Sequence, residues 1–123
     1  MNLIILIVDD DSNFRNLVKD FLSPDSYTIL EATNGIEALQ ILEEQKIDLL
    51  ISDMYMPEMD GIELSKKIKE NYPQLKTIGT TAGDKYEASM VKDVSKSFFS
   101  SFLSKPFSQV DLLTEIKKLL SDK

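Results

Sequence analysis

Apolar residues along this chain follow two rhythms that take turns. Leu3 to Val8 is an unbroken Leu and β-branched run, closed by Asp9-Asp10-Asp11. So short a run reads as a strand buried on both faces. Phe14, Leu17, Val18, Phe21 and Leu22 then recur at helical spacing and predict the inward face of a first helix. Asp11 or Ser12 is its expected N-cap, and Ser23-Pro24-Asp25 ends it. Tyr27 to Ala32 predicts a second strand, and Asn34-Gly35 turns the chain into a second helix with Ala38, Leu39 and Leu42 inward. Ile47 to Asp53 is the third strand, with the apolar run Leu49-Leu50-Ile51 leading into Ser52 and Asp53. Ile62, Ser65, Ile68 and Tyr72 mark a third helix that stops before Pro73. Lys76 to Thr81 is a fourth strand whose packing Gly79 weakens. Tyr86, Met90, Val91 and Val94 outline a fourth helix, and the stretch 98–104 contains a fifth strand. Val110, Leu113, Ile116, Leu119 and Leu120 face a last helix inward, with Lys117 and Lys118 at its negative end.

Five strand–helix repeats in strict alternation imply right-handed crossovers. The expected fold class is α/β: a five-stranded parallel, doubly wound sheet with helices on both faces. Five strands favour the flavodoxin-like order 2-1-3-4-5. Strands one, three and four are then neighbours, and their carboxyl ends share the crevice where such sheets bind ligands. The expected organisation is one domain over residues 1–123, with no output domain.

Composition narrows the chemistry. A net charge of −7 and a pI near 4.5 argue against nucleic acid and anionic membrane as partners. The absence of Cys and His excludes thiolate chemistry, a Ser-His triad and a His-based metal site. No basic segment precedes the first apolar run, so it is neither a secretory signal nor a membrane span, and the expected location is cytoplasmic.

The strand ends, taken together, carry the function. Strand one ends at Asp9 and Asp10, strand three at Asp53, strand four at Thr81 and strand five at Lys105-Pro106. Singly, each has a plain structural reading as a cap, a strand residue or a chain break. Jointly they predict clustered carboxylates whose repulsion a divalent cation relieves. All-oxygen ligands select Mg²⁺ or Mn²⁺ over zinc. Lys105 would supply a point charge and Thr81 a hydroxyl for phosphoryl oxygens. Asp53, ending the central strand, is the candidate nucleophile, able to form an acyl phosphate.

With these residues the chain resembles the receiver domain of two-component response regulators, over nearly its whole length. The motifs are Ile5-Leu6-Ile7-Val8-Asp9-Asp10 with Arg15 following, the stretch from Asp53 through Pro57 to Asp60-Gly61, Thr81-Ala82, and Lys105-Pro106-Phe107. The resemblance implies that Asp53 is the phosphoacceptor, charged by a histidine kinase or phosphotransfer protein. It implies that Asp9, Asp10, Asp53 and the backbone carbonyl of Tyr55 hold Mg²⁺, Asp10 directly and Asp9 through water. Thr81 and Phe102 become the switch pair, with Thr80 as an alternative hydroxyl, and Lys105 contacts the phosphoryl group. Its bond to Pro106 is expected to be cis. Pro57 and Gly61 shape the loop after Asp53. The implied function is a stand-alone response regulator, not a turnover enzyme, that switches a contact with a downstream protein or passes the phosphoryl group on. Phe98-Phe99 stands where the family carries a Gly-Ala turn, and Gly79 is unusual in strand four, so departures fall on the output face.

Other classes fare worse. An aspartyl-phosphate phosphohydrolase of the haloacid-dehalogenase type needs an Asp two residues after the nucleophile, where this chain has Tyr55. A flavodoxin-like cofactor binder would place a phosphate beside Asp9-Asp10-Asp11 and be repelled. A receiver-like module that binds without phosphorylation has no need of the complete set of site residues.

Overall fold

The computed structural model describes residues 2–54, 59, 61–82 and 99–121, with the side chains of Ile62 and Ala82 excepted. The described elements are β1 (Ile4–Val8), α1 (Ser12–Leu22), β2 (Thr28–Ala32), α2 (Gly35–Glu44), β3 (Leu49–Asp53), α3 (Gly61–Asn71), β4 (Lys76–Ala82), β5 (Ser101–Lys105) and α4 (Gln109–Leu120). The helix expected around Tyr86 to Val94 lies outside the described residues, as do Tyr55, Pro57 and Phe98.

The strands form one parallel sheet in the order β2-β1-β3-β4-β5, as the alternation predicts. Successive side chains on a strand point to opposite faces, so the apolar runs feed two cores at once. Leu6, Val8 and Leu50 pack with Ala38 and Leu42 of α2 and Leu64 and Ile68 of α3. Ile5, Ile7, Leu49, Ile51 and Ile78 pack with Val18 and Leu22 of α1 and Leu112 and Ile116 of α4. Every residue of β3 from Leu49 to Ser52 is buried, which is why that run shows no polar alternation.

Two helical positions differ from the periodicity. Leu17 is 45% exposed and Val110 is 72% exposed, although both were expected to face inward. On α4 the inward stripe is set by Leu112 and Ile116, and one turn earlier it falls on Gln109. The Gln109 side-chain amide donates to the Phe21 carbonyl at 3.0 Å and ties α4 to α1. A polar residue thus fills the inward place that the apolar Val110 was expected to take.

The fifth strand is shorter than the stretch 98–104 and begins at Ser101. Phe99 precedes it, 6% exposed, and its ring lies on Gly79. A Cβ on Gly79 would come within 2.9 Å of that ring. The gap that a glycine leaves in β4 is therefore filled by an aromatic residue from the next segment. The two departures noted on the output face are one packing unit.

Helix ends follow local chemistry. The Asp11 carboxylate accepts from the Asn13 and Phe14 amides and caps α1. Ser108 and Asp111 form a reciprocal capping box on α4. Ser108→Ala removes the acceptor for the Asp111 amide, 3.0 Å away. It should cost about 1 kcal/mol. Thermal unfolding would show this as a midpoint lower by about 3–6 °C.

Candidate functional site

The sheet order brings the ends of β1, β3 and β5 to one edge of the molecule. Asp9 follows β1 and is held there by bonds to its own and neighbouring elements. Its amide donates to the Ala32 carbonyl at 3.1 Å, its carboxylate accepts from the Asp11 amide at 2.9 Å, and its own carbonyl accepts from Arg15 Nη1 at 2.6 Å. Arg15 is braced in turn by Glu31 on β2, at 2.9 Å, and Lys19 reaches the same carboxylate at 3.0 Å. These two partners, Lys19 first, hold the Glu31 carboxyl below its ordinary range. Glu31 therefore contributes stability above the ordinary carboxylate range and loses it as pH falls through its lowered pKa.

One carboxylate oxygen each from Asp9, Asp10 and Asp53 lies within 4.8 Å of the others. Asp9 is buried, Asp53 is half-buried and Asp10 is exposed. Burial pushes the Asp9 carboxyl up, against the lowering pull of the Asp11 amide and the Lys105 ammonium, with the Asp10 charge adding slightly to the rise. Lys105 Nζ stands 3.0 Å from Asp9 Oδ2 and 3.7 Å from Asp53 Oδ2. An all-oxygen trio with a graded approach to solvent fits a hard divalent cation such as Mg²⁺.

The raised Asp9 pKa has a testable sign. A carboxyl whose folded pKa lies above the unfolded value gives stability below 3.8 that is lost as pH rises through the folded pKa. Ionised Asp9 therefore weighs against the metal-free fold at neutral pH. Asp9→Asn is expected to raise the metal-free unfolding midpoint at pH 7, and the gain should close near pH 3.8. The same variant should lose most of the stabilisation that added Mg²⁺ gives the parent. Paired thermal melts in chelator and in Mg²⁺ check both halves.

Thr81 sits at the end of β4, 1% exposed, and its hydroxyl has no hydrogen-bond partner among the described residues. A buried hydroxyl left unpaired is costly. Thr80 is also buried, has no hydrogen-bond partner among the described residues, and is in register with Asp53. Gly79 is in register with Phe102, so strand alternation puts Thr81 and Phe102 on one face of the sheet. Asp53 and Lys105 lie on the other face, with Ile51 and Ile78. Thr81 and Phe102 thus form a pair on the face opposite the Asp53–Lys105 pair.

Gly61 opens α3 directly against the end of β3. Its amide donates to the Met54 carbonyl at 3.0 Å, and a Cβ there would run into the Asp53 carbonyl. The Lys105–Pro106 bond is cis, as the resemblance implies. The sequence reading missed the Phe14 ring, which lies under the Lys105 ammonium. Its place in the first turn of α1, just after the acidic cluster, was the available signal.

With this geometry in hand, comparison with known proteins is decisive. Residues 5–117 match the response regulator receiver domain. This chain belongs to that family. It is 35% identical over 116 residues to the response regulator receiver protein CpdR of Brucella abortus, covering 94% of this chain and 95% of CpdR. It is 35% identical over 120 residues to part of the sensor kinase CckA of the same organism, where the match spans only 12% of the kinase. Among solved structures, a CheY-like receiver domain protein from Methanospirillum hungatei JF-1 superposes with a TM-score of 0.89 at 29% identity, over 99% of this chain and 96% of that one. Its five parallel strands in the order 2-1-3-4-5 match such receiver structures, and Asp9, Asp10 and Asp53 form an acidic cluster at their carboxyl ends. Among its described residues no helix is long and apolar enough to cross a membrane.

Proposed function

We propose that this receiver domain is a phosphorylation switch whose acceptor is Asp53. The observation that carries the reading is the convergence of Asp9, Asp10 and Asp53 within 4.8 Å, with the Lys105 ammonium 3.7 Å from Asp53. The donor is a phosphohistidine on a histidine kinase or phosphotransfer protein. A carboxylate oxygen of Asp53 attacks phosphorus, the P–N bond breaks, and the imidazole leaves with the electron pair and takes up a proton. Hydrolysis later returns the carboxylate as water attacks phosphorus and the P–O bond to Asp53 breaks.

Asp9, Asp10 and Asp53, with the Tyr55 carbonyl, would hold Mg²⁺ or Mn²⁺. The cation supplies positive charge that offsets the carboxylates and the incoming phosphoryl oxygens. Lys105 neutralises a phosphoryl oxygen, and Thr81 donates its hydroxyl to another. Movement of Thr81 toward the phosphoryl group frees space on its face of the sheet for Phe102 to turn inward, so phosphorylation shifts a population between two surfaces. The output is a contact with a downstream protein or a phosphoryl handoff, in the cytoplasm, by a domain that does not bind nucleic acid. It accepts a phosphoryl group and autodephosphorylates, as a switch rather than a turnover enzyme.

The test is phosphoryl transfer from a phosphohistidine-bearing domain and, separately, from acetyl phosphate, each with Mg²⁺ and with chelator, read by intact mass. A single Mg²⁺-dependent adduct is expected from both donors. No adduct from either would overturn the reading and leave a receiver used as a constitutive binding module.

A further inference from the structure

We infer that Phe14 is a positioning residue for the phosphoryl-transfer site, an aromatic seat that holds the Lys105 ammonium between Asp9 and Asp53. The inference rests on the reading of Asp53 as phosphoacceptor and extends it to a residue outside the acidic cluster. Lys105 Nζ lies 4.0 Å from the centroid of the Phe14 ring. The same nitrogen is 3.0 Å from Asp9 and 3.7 Å from Asp53. Three partners thus converge on one cation, two charged and one neutral.

The seat is itself fixed. Phe14 enters α1 in its first turn, where the Asp11 cap sets the helix start. Its ring meets the Phe107 ring edge-on, with centroids 5.8 Å apart and planes at 90°. Phe107 follows the cis Lys105–Pro106 bond, so the strand that delivers the ammonium also delivers a brace for the ring beneath it. Both aromatic residues pack against the apolar core shared by α1 and α4.

A neutral seat matters because the carboxylates do not stay available. Asp9 has less to offer an ammonium once it shares its charge with a divalent cation, and Asp53 loses its negative charge to the incoming phosphoryl group. The face of an aromatic ring attracts a cation without carrying charge and is not neutralised by either event. It keeps a long, flexible Lys side chain near Asp53 when its ion-pair partners are drawn away. Orientation of this kind raises the rate by removing the search for the reactive geometry.

The experiment compares the parent with Phe14→Leu, which keeps apolar bulk without the ring, and Phe14→Tyr, which keeps the ring. Adduct formation from acetyl phosphate is timed at saturating Mg²⁺, at a temperature where melts show all three folded. The Leu variant is expected to be slower by roughly three- to tenfold, with the Tyr variant close to the parent. A second readout needs no phosphorylation. The Lys105 ε-methylene protons should show a ring-current upfield shift by NMR in the parent and the Tyr variant that is lost in the Leu variant. A Leu variant that reacts at the parent rate, or a Lys105 resonance unmoved by loss of the ring, overturns the seat while the parent's adduct leaves the phosphoacceptor reading intact. Failure of the parent itself to form an adduct overturns the phosphoacceptor reading and the transfer role together. The NMR shift then still decides whether the ring holds the ammonium.

Discussion

Asp53→Asn is expected to abolish the phosphoryl adduct, from a phosphohistidine donor and from acetyl phosphate alike, to the limit of detection by intact mass. The reason is electronic rather than steric. Asn matches the shape of Asp at the end of β3 but presents an amide, with no anionic oxygen to attack phosphorus. Loss of fold is not a competing explanation, because the substitution removes one of three carboxylates whose oxygens lie within 4.8 Å. The metal-free variant should therefore melt no lower than the parent. Its response to Mg²⁺ should weaken, since a ligand charge is gone. Lys105 keeps Asp9 at 3.0 Å, so the rest of the pocket stays assembled. A variant that still gained one phosphoryl group would place the acceptor elsewhere.

Gly61→Ala is the second large effect, and it acts through the backbone. The space that a Cβ would need is taken by the Asp53 carbonyl, with the Asp53 carbonyl carbon and Met54 Cα each at 2.8 Å. No flexible side chain can give way there. Relief requires either α3 or the end of β3 to move, and the end of β3 carries the nucleophile. Overpacking of this kind costs roughly 1–3 kcal/mol. The unfolding midpoint should drop by about 3–12 °C. Adduct formation should slow even at temperatures where the variant is fully folded, because a shift of Asp53 of a fraction of an ångström disturbs its line to phosphorus. Gly61 has no positive φ, so the requirement is for space, not for backbone freedom. Equal rates for the folded variant and the parent would show that α3, rather than Asp53, had absorbed the clash.

Most of the fold was legible because the sheet is buried on both sides. A central parallel strand must be apolar at every position, and Ile5 to Val8 and Leu49 to Ile51 are. The clustering of Asp9, Asp10, Asp53 and Lys105 was legible for a related reason: each stands at the carboxyl end of a strand, where the doubly wound topology forces them together. Legibility failed where a residue's fate depends on partners distant in sequence. Val110 fits a helical apolar spacing, yet the neighbouring α1 gives the inward place to Gln109 through the Phe21 carbonyl. Gly79 read as a weakness in β4, and only the position of Phe99 shows that the weakness is filled. Phe14 read as core, and it does touch the core. Its contact with Lys105 spans most of the chain and leaves no local periodicity to find.

Reductive trapping reads out whether the Asp53 carboxylate becomes an acyl phosphate. The protein is phosphorylated with acetyl phosphate and Mg²⁺, quenched into borohydride, digested and mapped by mass spectrometry. Borohydride reduces the carbonyl of an acyl phosphate to an alcohol and leaves a free carboxylate untouched. Homoserine is expected in place of Asp53, only in the Mg²⁺ sample, with Asp9 and Asp10 unmodified. Homoserine in place of Asp9 or Asp10, or a stable phosphate ester on Thr80 or Thr81 with Asp53 intact, would contradict it.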